Sequence, residues 1–129
     1  MIDPGLNEKY LEQKTEIINS AQRFLKLRLT YRWLEQLLTR HHLDPDEGIL
    51  ILCTFVVDRS DNDNFLGCWL SRSQQFFQFD VEADSQTHEL LHEYSFDNIT
   101  DQTHISQHDP EVGKTFAFIA LEVLEELMP

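Results

Sequence analysis

The sequence predicts an α+β fold: an antiparallel four-stranded β-meander flanked by a long N-terminal helical region and one C-terminal helix. Three observations carry this. Apolar residues recur at three- and four-residue steps from residue 6 to residue 42. Between residues 49 and 97, β-branched and aromatic runs are separated by turn-forming stretches. From residue 109 to residue 128 a helical period returns behind a capping pair. A chain of 129 residues is one domain's worth, read here as a helical region over 1–43, a sheet over 49–97 and a helix over 109–128.

Each element has its own signature. Leu11, Lys14, Ile17, Ile18, Ala21, Phe24, Leu25 and Arg28 mark the first helical stretch, and Trp33, Leu34, Leu37, Leu38 and His41 continue it. Asp3-Pro4-Gly5 stands before it and Leu43-Asp44-Pro45-Asp46-Glu47-Gly48 after it. One unbroken helix of that length is unusual, so a bend or a short break near Asn19-Ser20 is expected. "ILILCTFVV", residues 49–57, reads as a strand buried on both faces. "FLGCWLS", residues 65–71, is a second strand, after the polar loop "DRSDNDN". That loop begins like a calcium loop but lacks the glycine and the closing glutamate. "QFFQFDVEA", residues 75–83, alternates Phe77, Phe79, Val81 and Ala83 against Phe76, Gln78, Asp80 and Glu82, the period of a strand. In the last helix, Asp109 and Pro110 form the start, and Phe116, Ile119, Ala120, Val123, Leu124 and Leu127 form the apolar stripe. Glu122, Glu125 and Glu126 oppose the helix dipole there, which suggests another reason for their presence.

Residues 87–94, "THELLHEY", include His88-Glu89-Leu90-Leu91-His92, the H-E-x-x-H spelling of zinc-peptidase helices. Such a helix would ligate zinc through His88 and His92, use Glu89 as general base and take a third ligand from His104, His108 or a downstream acid. The preceding "EADSQT" gives that helix no apolar anchor. A strand fits better. Pairing 75–83 with 88–96 through a turn centred on Ser85-Gln86 sets Val81 opposite Leu90, Phe79 opposite His92 and Phe77 opposite Tyr94. It buries His92 and leaves one flaw, Glu82 opposite Glu89.

Composition narrows the function classes. There are 23 acids and 10 bases, a net of −13. Residues 1–43 hold five acids and seven bases, a net of +2; residues 44–129 hold 18 acids and three bases, a net of −15. Such a surface repels nucleic acid and anionic membrane and attracts a basic partner. No apolar run reaches the roughly 20 residues of a membrane span, and the N-terminus "MIDPGLNEKY" has no signal-peptide character. A cytoplasmic chain with two reduced cysteines, Cys53 and Cys68, is the expectation. With four glycines and no phosphate-cradle or nucleophile-elbow motif, no cofactor is expected.

The pairing above puts Leu66, Cys68, Phe77, Phe79, Val81, Leu90, His92 and Tyr94 on the face the helices cover. The other face would carry Phe55, Val57, Phe65, Trp69 and Phe76 and turn acidic at Asp80, Glu82, Glu89, Glu93 and Asp97. Aromatics beside an acidic rim suit a protein-binding surface, so Phe65, Trp69, Phe76, Asp80, Glu82, Glu89, Glu93 and Asp97 are the candidate contact residues. Equally, one helix could pack on each face and cover those aromatics; left open, the aromatic face is also a candidate for homodimerisation. An acidic α+β domain without catalytic motifs looks like an immunity or antitoxin protein that neutralises a basic toxin. It also looks like the acidic chaperone of a secreted effector. The zinc hydrolase is the alternative from another class.

Overall fold

The computed structural model of the chain describes residues 4–57, 59–100 and 110–129. Helix α1 spans Pro4–Lys26 and α2 spans Arg32–Arg40. Strands β1 (Gly48–Val56), β2 (Asp63–Ser71), β3 (Phe76–Ala83) and β4 (Leu90–Ile99) follow, and α3 (Pro110–Leu127) closes the order. The strands pair antiparallel as β1-β2-β3-β4, the expected meander between helices. Among the described residues no helix is long and apolar enough to cross a membrane.

The helical region breaks at Leu27–Tyr31, not near Asn19-Ser20, which lie inside an uninterrupted α1. The reason is packing. Phe24 and Trp33 are both buried in one cluster, yet nine residues of continuous helix would set them about 180° apart. The Leu27–Tyr31 turn brings both to the same side. At the start of α2, the Trp33 amide donates to the His88 carbonyl at 2.9 Å, so the β3–β4 turn satisfies one of the helix's free amides. At its end, His42 adopts φ 60°, while the Leu43 amide donates to Leu38 and the His42 amide to Thr39. That is a left-handed C-cap, with histidine where glycine is usual.

Helices cover both faces of the sheet. On one face Phe24, Trp33, Leu34, Leu37 and Leu38 meet Leu50, Trp69, Phe77, Phe79, Val81 and Ala83. On the other, Ile17, Ala21, Ala117, Ile119, Ala120, Val123 and Leu124 meet Ile49, Ile51, Cys68, Leu70 and Phe76. We call these the α2 face and the α3 face. Helix α1 contributes to both, so it crosses the β1 edge and shields the first half of an otherwise open strand. Two of the α3 acids have partners there: Tyr10 donates to Glu122, and Lys14 meets Glu126 at 2.6 Å.

Several expectations about the strands are corrected. β1 is buried only over Gly48–Ile51; Leu52, Thr54 and Phe55 are exposed beyond the reach of the helices. β2 lies the other way up from the expected assignment. Its register pairs Trp69 with Phe77 and Phe65 with Val81, which puts Phe65 and Trp69 on the α2 face and Leu66 and Cys68 on the α3 face. The turn that sets this is three residues, Arg72–Gln74, with Gln74 at φ 67°. Gly67 is required where β2 passes under Phe79, since a Cβ there would stand 2.4 Å from the ring and 2.5 Å from the Leu52 carbonyl oxygen.

The register of β4 also differs. Phe79 pairs with Phe96, Val81 with Glu93, Glu82 with His92 and Ala83 with Leu90, with irregularities at Asp80/Val81 and Glu82/Ala83. The turn explains it. The Asp84 carboxylate accepts the Gln86 and Thr87 amides at 2.8 Å each, and His88 sits at φ 62°. This cap extends the turn through Glu89, beyond the expected centre at Ser85-Gln86. His92 and Tyr94 are therefore exposed on the α3 face, not buried, and Glu82 faces His92 rather than Glu89. His88 precedes the strand, which begins at Leu90. The H-E-x-x-H stretch is turn and strand, so the zinc-peptidase helix does not form. His104, His108 and the Asp109 cap lie outside the described residues.

Candidate protein-binding face

The α3 face is covered over only part of its length. Its far half, toward the β1–β2 and β3–β4 turns, forms a lattice fixed by strand register. One row runs Thr54, Leu66, Asp80, Ser95; the next runs Val56, Asn64, Glu82, His92. A third, nearer the core, runs Leu52, Cys68, Gln78, Asp97. Tyr94 occupies the irregularity between the first two and is 47 % exposed, while Leu66 is 39 % exposed. The acids stand here because β3 alternates them with the buried Phe79, Val81 and Ala83.

The polar groups are tied together. Arg59, from the β1–β2 loop, bonds the Asp80 carboxylate and lies over the Tyr94 ring at 5.2 Å. The Tyr94 hydroxyl donates to Glu82 Oε1 at 2.9 Å and the Asn62 amide to Glu82 Oε2 at 2.7 Å. The hydrogen bonds from Asn62 and then Tyr94 hold the Glu82 carboxyl below its ordinary pKa, and Glu82 in turn raises that of the Tyr94 phenol. Buried Asn64 anchors the loop by donating to Ser60 Oγ at 2.8 Å and to the Asn62 carbonyl at 3.0 Å. The His92 ring meets Tyr94 edge-on at 4.4 Å.

The eight residues expected to form one surface are divided. Asp80, Glu82 and Asp97 do stand together on the open half of the α3 face. Phe76 shares that face but is buried beneath α3. Phe65, Trp69 and Glu93 point to the α2 face. There Trp69 is fully buried against Phe24, Phe65 stacks on Trp33 at 4.7 Å, and Glu93 meets His41 at 2.6 Å. Glu89 lies in the β3–β4 turn, 3.5 Å from Arg32. Since Trp69 is covered within the chain, the expected aromatic-face dimer has no exposed tryptophan to use. Sequence reasoning missed Leu66, Tyr94 and Arg59; the exact register would have found the first two, and nothing in the spacing marks the loop residue Arg59.

Ion pairing shapes the charge left over. Lys14, Arg28, Arg32, Arg40, Arg59 and Arg72 each face a carboxylate. Among the described side chains, the bases without a carboxylate partner are Lys9, Arg23 and Lys26, all on α1. Around the open half-face, Asp61 and Asp97 face no base. The thiols offer no nucleophile: burial pushes Cys53 and Cys68 up to about 12, and they lie on opposite faces of the sheet. Among the described residues no group of three or more His, Cys, Asp and Glu side chains is placed to hold a metal ion. Comparison with protein-family models, curated proteins and solved structures finds no match to this chain.

Proposed function

We propose that this chain is a non-catalytic binding module that engages a basic protein partner through the open half of the α3 face. One observation carries the reading: internal ion pairs engage most of the bases and leave uncompensated acids around an exposed Leu66–Tyr94 patch. An apolar centre inside a charged rim is the anatomy of a specific protein contact. Surplus negative charge speeds encounter with a positive surface. The turn-and-strand conformation of residues 87–94 also favours a binding reading over the zinc hydrolase. Immunity or antitoxin proteins, and chaperones of secreted effectors, bind in this manner. Thiols that cannot pair across the sheet suit a reducing cytoplasm.

Affinity capture from the native host, followed by association kinetics with the captured protein, tests this. The partner should be basic, and its on-rate should drop about tenfold or more between low and high salt. Asp97→Lys should slow association without lowering the melting temperature, because Asp97 is exposed and outside the internal ion pairs. An acidic partner, or an on-rate indifferent to salt, overturns the proposal.

A further inference from the structure

Helix α1 carries a second apolar stripe that its own fold covers only at its middle. Its buried side is Ile17, Ala21 and Phe24. About 100° around the axis, Leu11, Ile18 and Leu25 recur at steps of seven. Leu11 is 52 % exposed and Leu25 59 %, while Ile18 is half-buried against the α1–α3 core. Scattered surface leucines need no explanation, but a seven-residue repeat is the spacing of a helix–helix seam. Two charges bracket the stripe. Glu8 precedes Leu11 and Lys26 follows Leu25, and neither makes an ion pair within the chain.

We propose that α1 pairs with the α1 of a second copy of this chain, antiparallel, about a two-fold axis at Ile18. The stripe reads alike in both directions, so Leu11 meets Leu25 of the other copy and Ile18 meets its counterpart. The charges read oppositely, so Glu8 falls beside Lys26 of the other copy, and Thr15 beside Gln22. A parallel pair would set Glu8 against Glu8 and Lys26 against Lys26, which selects the antiparallel arrangement. Such a contact is isologous and closes at two copies. A membrane is a poorer occupant, because a chain of net charge −13 is repelled by anionic lipid. The leucines supply the burial, and exposed ion pairs of this kind mainly fix orientation.

Sedimentation velocity of the full chain, from low-micromolar to submillimolar concentration, should show a reversible dimer. Leu11→Glu/Leu25→Glu should be monomeric throughout, with an unchanged near-ultraviolet dichroism spectrum, since both side chains are exposed in the folded chain. Glu8→Lys and Lys26→Glu should each weaken the dimer several-fold, and the double exchange should recover it. A wild type that stays monomeric, or a dimer indifferent to the leucine changes, overturns the interface. A dimer that the double exchange fails to recover overturns the antiparallel pairing.

Discussion

His42 and Gly67 show how single positions set this fold. His42 ends α2 at φ 60°, a conformation that costs an L side chain about 1–2 kcal/mol and glycine far less. Its imidazole is exposed, so His42→Gly removes little packing. The expected result is a gain of about 0.5–1 kcal/mol in urea unfolding. Gly67 works in the opposite sense. A methyl group there would meet both the Phe79 ring and the Leu52 carbonyl oxygen within 2.5 Å, and the backbone oxygen cannot swing aside. Gly67→Ala should therefore destabilise the chain by about 1–3 kcal/mol, with a lowered melting temperature as the readout. Tyr94→Phe tests the open face. Losing one of its side-chain donors, Glu82 should titrate closer to its ordinary value of 4.5 in a carboxyl-carbon NMR titration. The sign follows from the depressed folded pKa. Stability from Glu82 is complete above its ordinary value and is lost as pH falls through the folded one, so the variant should lose less on acidification.

At the level of elements, the periods were legible and the joints were not. Alternation from Phe76 to Ala83 revealed β3 and located Asp80 and Glu82 on one face of it. The Pro110 helix start was equally readable, whereas α1 begins at Pro4, inside the stretch expected to stand before it. Which face of β2 matched which face of β3 depended on the three residues Arg72–Gln74, and no hydrophobic pattern counts the residues in a turn. The β4 register depended on the Asp84 carboxylate capping Gln86 and Thr87 and on left-handed His88, a choice made by side-chain hydrogen bonds. Arg59 and Tyr94 were illegible for a further reason, because a loop residue reaching across two strands leaves no spacing signal. The thiols of β1 and β2 give this scale its own test. Both are raised by burial from 9.0 to about 12. A raised folded pKa means their contribution is complete below about 9 and is lost as pH rises toward 12, while the unfolded thiols ionise. Unfolding free energy should fall across that window, and Cys68→Ala should flatten part of the slope.

For the molecule as a whole, charge and apolar surface are sorted by position. Among the described side chains, the bases without a carboxylate partner lie on α1, where Glu8, Glu12 and Glu16 also face no base, and Asp61 and Asp97 face none around the far half of the sheet. The proposed self-pairing would therefore use one region and the proposed partner contact another. In a binding assay, Leu11→Glu/Leu25→Glu should remove the dimer while leaving the salt-dependent on-rate within about twofold of wild type. The contact between α1 and α3 has a further consequence, for synthesis. Tyr10 and Lys14 find Glu122 and Glu126 only 112 residues later. While the chain is being made, the side of α1 that faces α3 thus waits through all four strands, and its cover, begun by β1, is completed only when α3 arrives. A nascent chain stalled before Pro110 should have an α1 that protease cuts more readily than in a chain in which residues 110–129 have cleared the ribosome.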